Sequence, residues 1–338
     1  FLKHINNNYD FVELMSEILG ELNVSHSGAG MRSNGRSGDV TAYLGLLFDV
    51  NYDGDGLLID EVLDKGPFDK NHSKVEAGNI IEKIDGIEIT KDMDYYPLLN
   101  KKVGKQVLVS IYNPDTKKRW EEIVKPISKG TQNELLYQRW IKHNEEVVDS
   151  LSNGTLGYVH IRSMGDASYR DVYAEILGKY NRRKGIVIDT RFNGGGRLHE
   201  DIEILFSGEK YLEQVIRDSV ACVMPSRRYV KPSIMIMCEA NYSNAHGTPW
   251  VYKHKKIGKL VGMPVPGTMS SVTWETLQDT DLYFGLPVVG YRTQEGYYLE
   301  NYQLEPDVKV RNTPEKLAVG VDEQLEAAVK ELLKDVEN

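Results

Sequence analysis

The sequence predicts an α/β fold that carries a β-rich module toward its N-terminal side. Strands and helices alternate from about residue 129 onward, whereas short strands separated by turns fill residues 40–128. Such alternation is typical of a partly parallel sheet with helices packed on it. Functional groups in these sheets lie at the carboxyl ends of the strands, so we expect the candidate site there.

Length and composition narrow the range of partners. The chain has 338 residues, a hydrophobic share of 41% and a charged share of 27%, which are values of ordinary globular domains. Its net charge of -9 argues against nucleic acids and anionic membrane surfaces as partners. No apolar run approaches the roughly 20 residues that a membrane-spanning helix needs.

The N-terminal segment is predicted to form a helix and then a loop. Apolar residues recur at helical spacing from Phe11 to Leu22, and Gly20 falls near the end of that pattern. Residues 25–39 are rich in glycine and serine and predict a loop. The chain starts with Phe1 and lacks a basic region followed by an apolar run, so we expect a fragment or a processed product.

The β-rich module is predicted from short strand-like runs. Asp85-Gly86 separates two apolar runs and is a strong signal for a hairpin turn. Residues 92–99 predict a short helix. The expected strands cover residues 43–48, 57–62, 77–84, 87–89 and 107–112.

One segment of this module imitates a calcium site. Residues 49–56 resemble an EF-hand loop, with Asp60 where the bidentate carboxylate would fall. An EF-hand needs flanking helices, and strand-like runs flank this loop instead. A β-turn is therefore favoured, and no metal site is predicted.

The C-terminal part is predicted to supply the sheet and its site. The expected strands cover 156–161, 185–190, 233–238 and 259–262, and the expected helices cover 167–180, 249–256 and part of 315–336. The turn Asn193-Gly194-Gly195-Gly196 follows one of these strands, and Ser243 follows the next. Both segments are therefore expected at the same edge of the sheet.

Ser243 is the candidate nucleophile. It lies between a predicted buried strand and a predicted helix, where the amide of Asn244 can face a developing oxyanion. The glycine turn can supply a second donor, because glycine lets the backbone approach a substrate closely. On local sequence alone, a serine that caps the helix remains the alternative.

His26 and Glu300 complete the candidate set. His26 follows Ser25 in a loop, where a histidine is usually solvated or structural, and Glu300 could be an ordinary surface carboxylate. A nucleophile, a base and an acid that lie far apart in sequence are nevertheless the pattern of serine hydrolases on several folds.

The order of these motifs resembles the C-terminal half of the tricorn-type serine peptidases, which are related to the C-terminal processing peptidases. The resemblance runs from about Phe11 to the end of the chain. Its motifs are Glu21–His26, Ala77–Gly86, Gly157–Ile161, Ile188–Gly196, the segment around Ser243, Gly258–Gly262 and Leu299–Val308.

The resemblance implies a split catalytic core of α/β (α+β) class, with a mixed sheet, flanking helices and an inserted PDZ domain. Residues 1–39 would form the N-terminal part of the core and residues 40–128 the PDZ domain. Residues 129–338 would form the C-terminal part of the core.

The resemblance also implies the role of each site residue. Ser243 would be the nucleophile, His26 its general base, and Glu300 with Ser25 the support of that histidine. The oxyanion hole would consist of amides from Asn244 and from Gly195 or Gly196. No cofactor and no metal are implied.

Two departures from the family pattern bear on activity. The family places an acidic residue shortly after the nucleophile, where this chain has His246. Another register would put Ala245 at the nucleophile position and make the protein an inactive peptide-binding scaffold. Ser243 is preferred because it keeps the downstream residues in register without gaps. His246 could compete as a base, although neighbours in one helical turn rarely aim at the same point.

The processing-peptidase branch uses a lysine base after the strand that ends at Gly262. Residues 262–268 of this chain contain no lysine, which disfavours a Ser-Lys pair and favours His26.

The implied partners are peptide or unfolded-protein substrates, and a homo-oligomer, a hexamer by resemblance. Residues 43–46 resemble the carboxylate-binding loop of PDZ domains, so peptide C-termini are candidate ligands. The resemblance implies a cytoplasmic protein, whereas a removed signal peptide would imply the periplasm.

Overall fold

The computed structural model describes residues 1–32 and 38–337. The chain divides into two compact units. The core unit comprises Phe1–Asn34 and Asn144–Asn338, and the middle unit comprises Gly35–His143.

The helices and strands are numbered along the chain. The helices are α1 (Asn8–Gly20), α2 (Lys129–Leu151), α3 (Asp166–Ala174), α4 (His199–Ser207), α5 (Asn244–His254), α6 (Pro314–Leu317) and α7 (Glu323–Glu337). The strands are β1 (Gly28–Met31), β2 (Leu46–Phe48), β3 (Leu57–Val62), β4 (Ile80–Ile84), β5 (Ile87–Glu88), β6 (Val107–Asn113), β7 (Lys118–Val124), β8 (Leu156–His160), β9 (Gly185–Asp189), β10 (Leu212–Ile216), β11 (Ser219–Met224), β12 (Ser233–Met237), β13 (Lys259–Gly262), β14 (Ser270–Thr276), β15 (Leu282–Gly290) and β16 (Val308–Lys309).

The middle unit is built on an antiparallel sheet with the strand order β2-β3-β4-β6-β7, and β5 pairs with β4. The predicted turn between β4 and β5 is confirmed, because Asp85 and Gly86 have φ angles of 48° and 80°. The predicted helix at 92–99 is shorter, a 3-10 helix at Tyr96–Leu99. The hydrophobic core of the middle unit includes Ile81, Ile84, Val109 and Ile111.

The segment that imitates an EF-hand connects two strands. Residues 49–56 join β2 to β3, which pair antiparallel, so the loop has no helices to position a calcium ligand set. Within residues 1–32 and 38–337, no group of three His, Cys, Asp or Glu side chains could hold a metal ion.

The main sheet of the core unit has the strand order β16-β13-β12-β9-β8. Every neighbouring pair in it is parallel. All residues of β9 and β12 are buried, as the apolar run within each strand predicts. Because the strands are parallel, their carboxyl ends share one edge, and the glycine turn and Ser243 both follow strands at that edge.

A second sheet of the core unit is antiparallel, with the order β1-β15-β14. The expected mixed sheet is therefore replaced by two separate sheets, one parallel and one antiparallel. The prediction of a loop at 25–39 is wrong for β1, and its residues 33–37 lie outside the described residues. A Cβ at Gly30 would lie 2.4 Å from the Tyr283 ring, so β1 needs a residue without a side chain there.

Other elements differ from the predictions in their bounds. α5 begins at Asn244 rather than at 249, and its Pro249 lies inside the helix. The tail helix α7 begins at Glu323, inside the predicted range, and Gly320, with a φ of 81°, separates it from α6. No helix within the described residues has both the length and the apolar character needed to span a membrane.

Candidate active site

Ser243 occupies a strained turn between β12 and α5. Its φ and ψ angles are 57° and -124°, a conformation that costs a non-glycine residue about 1–3 kcal/mol. Ser243 has the N-cap position of α5, yet its side chain makes no capping hydrogen bond. Its amide donates to Thr268 Oγ1 at 3.0 Å. The turn thus holds a half-buried hydroxyl at the sheet edge without using it as a cap.

The glycine turn packs directly against Ser243. Gly195 has a φ of 99°, and a Cβ added to it would lie 2.6 Å from the Cβ of Ser243. Asn193 is buried and joins the two loops, since its Oδ1 accepts from the Gly195 amide at 2.8 Å and its carbonyl accepts from the Tyr242 amide at 3.0 Å. Only glycine fits at 195, and the approach of the two loops is fixed by hydrogen bonds.

The predicted oxyanion donors differ in their availability. The Gly195 amide is already committed to Asn193, whereas the amides of Gly196 and Asn244 donate to no described residue. The Asn244 side chain accepts hydrogen bonds from the amides of Leu198 and His199, at 2.9 and 3.1 Å. These bonds connect the start of α5 to the start of α4.

Glu300 accepts two hydrogen bonds from Ser25. The Ser25 amide donates to Glu300 Oε1 at 2.6 Å, and the Ser25 hydroxyl donates to Glu300 Oε2 at 2.9 Å. A carboxylate that accepts two bonds from one residue fixes both the backbone and the χ1 angle of that residue. The structure therefore places these two predicted residues in direct contact.

Two serine hydroxyl groups contact the same ring nitrogen of His26 and orient the ring. Its Nδ1 lies 2.8 Å from Ser25 Oγ and 3.0 Å from Ser270 Oγ. Because the Ser25 proton goes to Glu300, the Ser25 oxygen is left to accept from the Nδ1 proton of His26. This tautomer leaves a lone pair on Nε2, which is the state a general base requires.

Tyr242 supports His26 from the other side. Its hydroxyl accepts from the His26 amide at 2.7 Å, and the two ring centroids are 4.6 Å apart. His26 also has a positive φ of 64°, so its backbone is held in an uncommon conformation. Tyr242 immediately precedes Ser243, so His26 contacts the neighbour of the candidate nucleophile. No hydrogen bond joins the two side chains, and such contacts often tighten only when substrate binds.

Burial and charge act in opposite directions on His26. Partial burial lowers the pKa of its imidazole below the ordinary value, and the charge of Glu300 raises it by a smaller amount. The net lowering favours the neutral ring in the resting protein, and a neutral ring can accept a proton.

Three residues of the site were missed by the sequence reasoning. Thr268 precedes β14 and Ser270 begins it, and nothing in their local sequence points to a site. Tyr242 could have been found, because it adjoins Ser243 in the same loop.

Two residues that compete with the preferred assignment are buried. Ala245 and His246 are both 0% exposed, in the first turn of α5. Both ring nitrogens of His246 are buried without a hydrogen-bond partner, and burial lowers its pKa to about 4. His160, in β8, places its Nε2 3.1 Å from the carbonyl of Arg191.

A buried ion pair lies beneath the glycine turn. Arg191 and Asp189 are 2% and 0% exposed and are joined at 2.7 Å, and Arg191 also meets Asp322 at 2.7 Å. Burial opposes ionisation of Asp189, but Arg191 outweighs it and holds the pKa of that carboxyl below its ordinary value. Breaking such a pair is costly, so it anchors the segment between β9 and the glycine turn.

Comparisons with known proteins find similarity over nearly the whole chain. Residues 155–310 match the model of peptidase family S41. The tricorn protease of Thermoplasma volcanium is 27% identical over 97% of this chain, and a protein described as a tricorn-like protease C-terminal subunit, from Sulfurisphaera tokodaii, is 25% identical over 99% of it. A crystal structure of the tricorn protease covers 99% of this chain with a TM-score of 0.83 and 22% identity, which shows a shared fold.

The chain spans only part of these relatives, namely 32% and 40% of the two sequences and 33% of the chain in the crystal structure. The similarity nevertheless extends over nearly all of this chain. Its residues 155–310 match peptidase family S41, and 97% of the chain is similar in sequence to a tricorn protease.

Proposed function

We propose that this chain is a serine peptidase that hydrolyses peptide bonds of oligopeptides through an acyl-enzyme on Ser243. One observation carries the proposal. Glu300, Ser25 and His26 form a continuous hydrogen-bonded series that leaves Nε2 of His26 as the free acceptor. That series lies against Tyr242, the neighbour of a strained, uncapped serine.

The chemistry follows from these positions. Nε2 of His26 takes the proton of Ser243 as its Oγ attacks the carbonyl carbon, and the same proton then goes to the departing amine. The amides of Gly196 and Asn244 would stabilise the oxyanion, since neither donates to a described residue. A water molecule activated by His26 then releases the acyl group.

Glu300 and Ser25 would act through the histidine rather than on the substrate. They hold the tautomer of His26 and stabilise the imidazolium that forms as Ser243 loses its proton. The charge of Glu300 raises the pKa of His26, in the direction that this role requires.

The alternative is an inactive scaffold with Ala245 at the nucleophile position. Two observations weigh against that register. Ala245 is 0% exposed, so its side chain faces the packed core. Ser243 instead has the positive φ of a sharp strand-to-helix turn, which is how several hydrolases expose a nucleophile.

A second activity is proposed for the middle unit, as a PDZ domain spanning 40–128 that binds peptide C-termini. A cavity of about 450 Å³ there is lined by apolar residues that include Leu44 and Leu46. The amides of Leu44 and Gly45 donate to no described residue, and β2 lies at the edge of its sheet. Free amides beside an open strand edge suit a peptide that ends in a carboxylate.

Self-assembly, into a hexamer by resemblance, is likewise a proposal and can be checked by native mass spectrometry.

Peptide hydrolysis by the purified full chain tests the peptidase proposal. We expect turnover of quenched fluorescent oligopeptides and a loss of at least about 1,000-fold in Ser243→Ala. Ser219→Ala, at an exposed position in β11, is the matched control and should keep full activity. Unchanged turnover in Ser243→Ala, or a folded wild-type chain that cleaves no peptide, would overturn the proposal.

A further inference from the structure

A cavity of about 300 Å³ lies within the core unit, beside the candidate active site. Helix α5 and the segment 291–294 supply most of its lining. None of the residues assigned to nucleophilic attack lines it, so the reaction steps described above leave it without a role.

Four connections place this cavity next to Ser243, and two of them run through hydrogen-bonded neighbours. His199, in the lining, contacts the side chain of Asn244 at 2.7 Å. Met269, also in the lining, lies between Thr268, which binds the Ser243 amide, and Ser270, which contacts His26.

The other two connections run along the chain. Gly247 lines the cavity one helical turn after Ser243, and its amide donates to the Ser243 carbonyl at 3.3 Å. Leu299 lines it and directly precedes Glu300. A side chain of a residue bound at Ser243 therefore has this cavity within reach.

Part of the cavity wall is apolar. Trp250, Met269 and Leu299 supply apolar surface, and Gly247 contributes no side chain. A Cβ added to Gly247 would lie 2.6 Å from Cε of Met269, so any larger residue there would displace that wall. The shape suits a side chain with an apolar stem.

The charged groups of the lining are all basic. Lys255 and Arg292 line the cavity together with two imidazoles, and no Asp or Glu belongs to the described lining. Neither cation forms an ion pair with another described residue, whereas Lys253, two residues before Lys255, pairs with Asp307 at 2.9 Å. Two unpaired cations are notable in a chain whose net charge is -9.

We propose that this cavity is a specificity pocket that receives a carboxylate of the peptide substrate, with Lys255 and Arg292 as its selecting residues. The proposal rests on the proposed peptidase function. The carboxylate belongs to a Glu or Asp side chain on the residue whose carbonyl is attacked, or to the C-terminus of a short substrate. Apolar walls contact the stem, and the two cations attract the charge.

Matched substrates test the pocket in the full chain. Peptides that differ only by Glu, Gln, Leu or Lys before the cleaved bond are compared by kcat/KM, each with a free and an amidated C-terminus. We expect about a tenfold preference for Glu over Gln, from two partly exposed charge contacts. Dependence on the free C-terminus instead would assign the pocket to the terminal carboxylate, which keeps the proposal.

Charge reversal supplies the second arm. In the double variant Lys255→Glu/Arg292→Glu the preference should disappear or invert toward Lys, whereas Lys256→Glu, an exposed neighbour outside the lining, should keep it. Equal cleavage of the Glu, Gln and Leu peptides in both terminal forms would overturn the pocket, as would a preference that survives charge reversal. Absence of all cleavage would overturn the peptidase proposal and the pocket together, so the two failures are distinguishable.

Discussion

Two histidines are candidates for the base of Ser243, and the hydrogen bonds around their rings differ. His26 is part-buried, and its Nδ1 is held by two hydroxyls at 2.8 and 3.0 Å. His246 lies three residues after Ser243, is 0% exposed and has no partner at either ring nitrogen. Burial lowers the pKa of both rings.

The difference shows that a lowered pKa alone does not identify a general base. A base also needs a fixed tautomer and a charge that stabilises its protonated form. Ser25 and Glu300 provide these for His26, whereas His246 would become a cation without a partner. We therefore expect the two histidines to respond in opposite ways to substitution.

The largest expected effect separates them by activity. His26→Ala should lower kcat of peptide hydrolysis by about 1,000-fold or more, because Ser243 loses its proton acceptor. His246→Leu should change kcat less than about fivefold, since its ring contacts no group that reacts. Steady-state kinetics on one peptide compares both variants. Comparable losses in a folded His246→Leu protein would remove the distinction.

A smaller effect tests the support of His26. Glu300→Gln should reduce kcat by about 10- to 100-fold, as a less stabilised imidazolium forms. It should also move the acidic limb of the pH–kcat/KM profile to lower pH, because Glu300 raises the pKa of His26. Glu315→Gln, an exposed site in α6, is the control. A limb that moves to higher pH would contradict the assigned role of Glu300.

The smallest effect concerns the pH dependence of folding stability, which is expected to depend on His246. Burial lowers the pKa of His246 to about 4 in the folded chain, against about 6.5 in the unfolded chain. Between pH 4 and pH 6.5, His246 therefore binds a proton in the unfolded chain but not in the folded one. Stability should therefore fall as pH drops from 6.5 to 4, by about 3 kcal/mol from this residue. His246→Leu should lack that component in urea unfolding, and exposed His143→Leu should retain it.

The central strands of the core unit were predictable because each contains a short apolar run. β9 and β12 are such strands, and both are fully buried. Strand β1 was not, since a Gly-Ala-Gly-Met segment has neither apolar alternation nor β-branched residues and pairs only through contacts distant in sequence.

In the candidate site, too, residues in local motifs were predictable and residues that depend on contacts distant in sequence were not. Ser25, His26 and Glu300 came from motifs, and the structure brings them into contact. Ser270 contacts Ser25 across a separation of 245 residues, which no local pattern signals. The commitment of the Gly195 amide to Asn193 likewise depends on a turn geometry that glycine content alone does not reveal.

Covalent labelling tests the central assignment most directly. A fluorophosphonate probe reacts with a serine that an adjacent base activates, and peptide mapping by mass spectrometry identifies the modified residue. We predict one adduct, on Ser243, that is lost in His26→Ala and retained in His246→Leu. An unlabelled chain that is otherwise folded, or an adduct on another serine, would contradict the account.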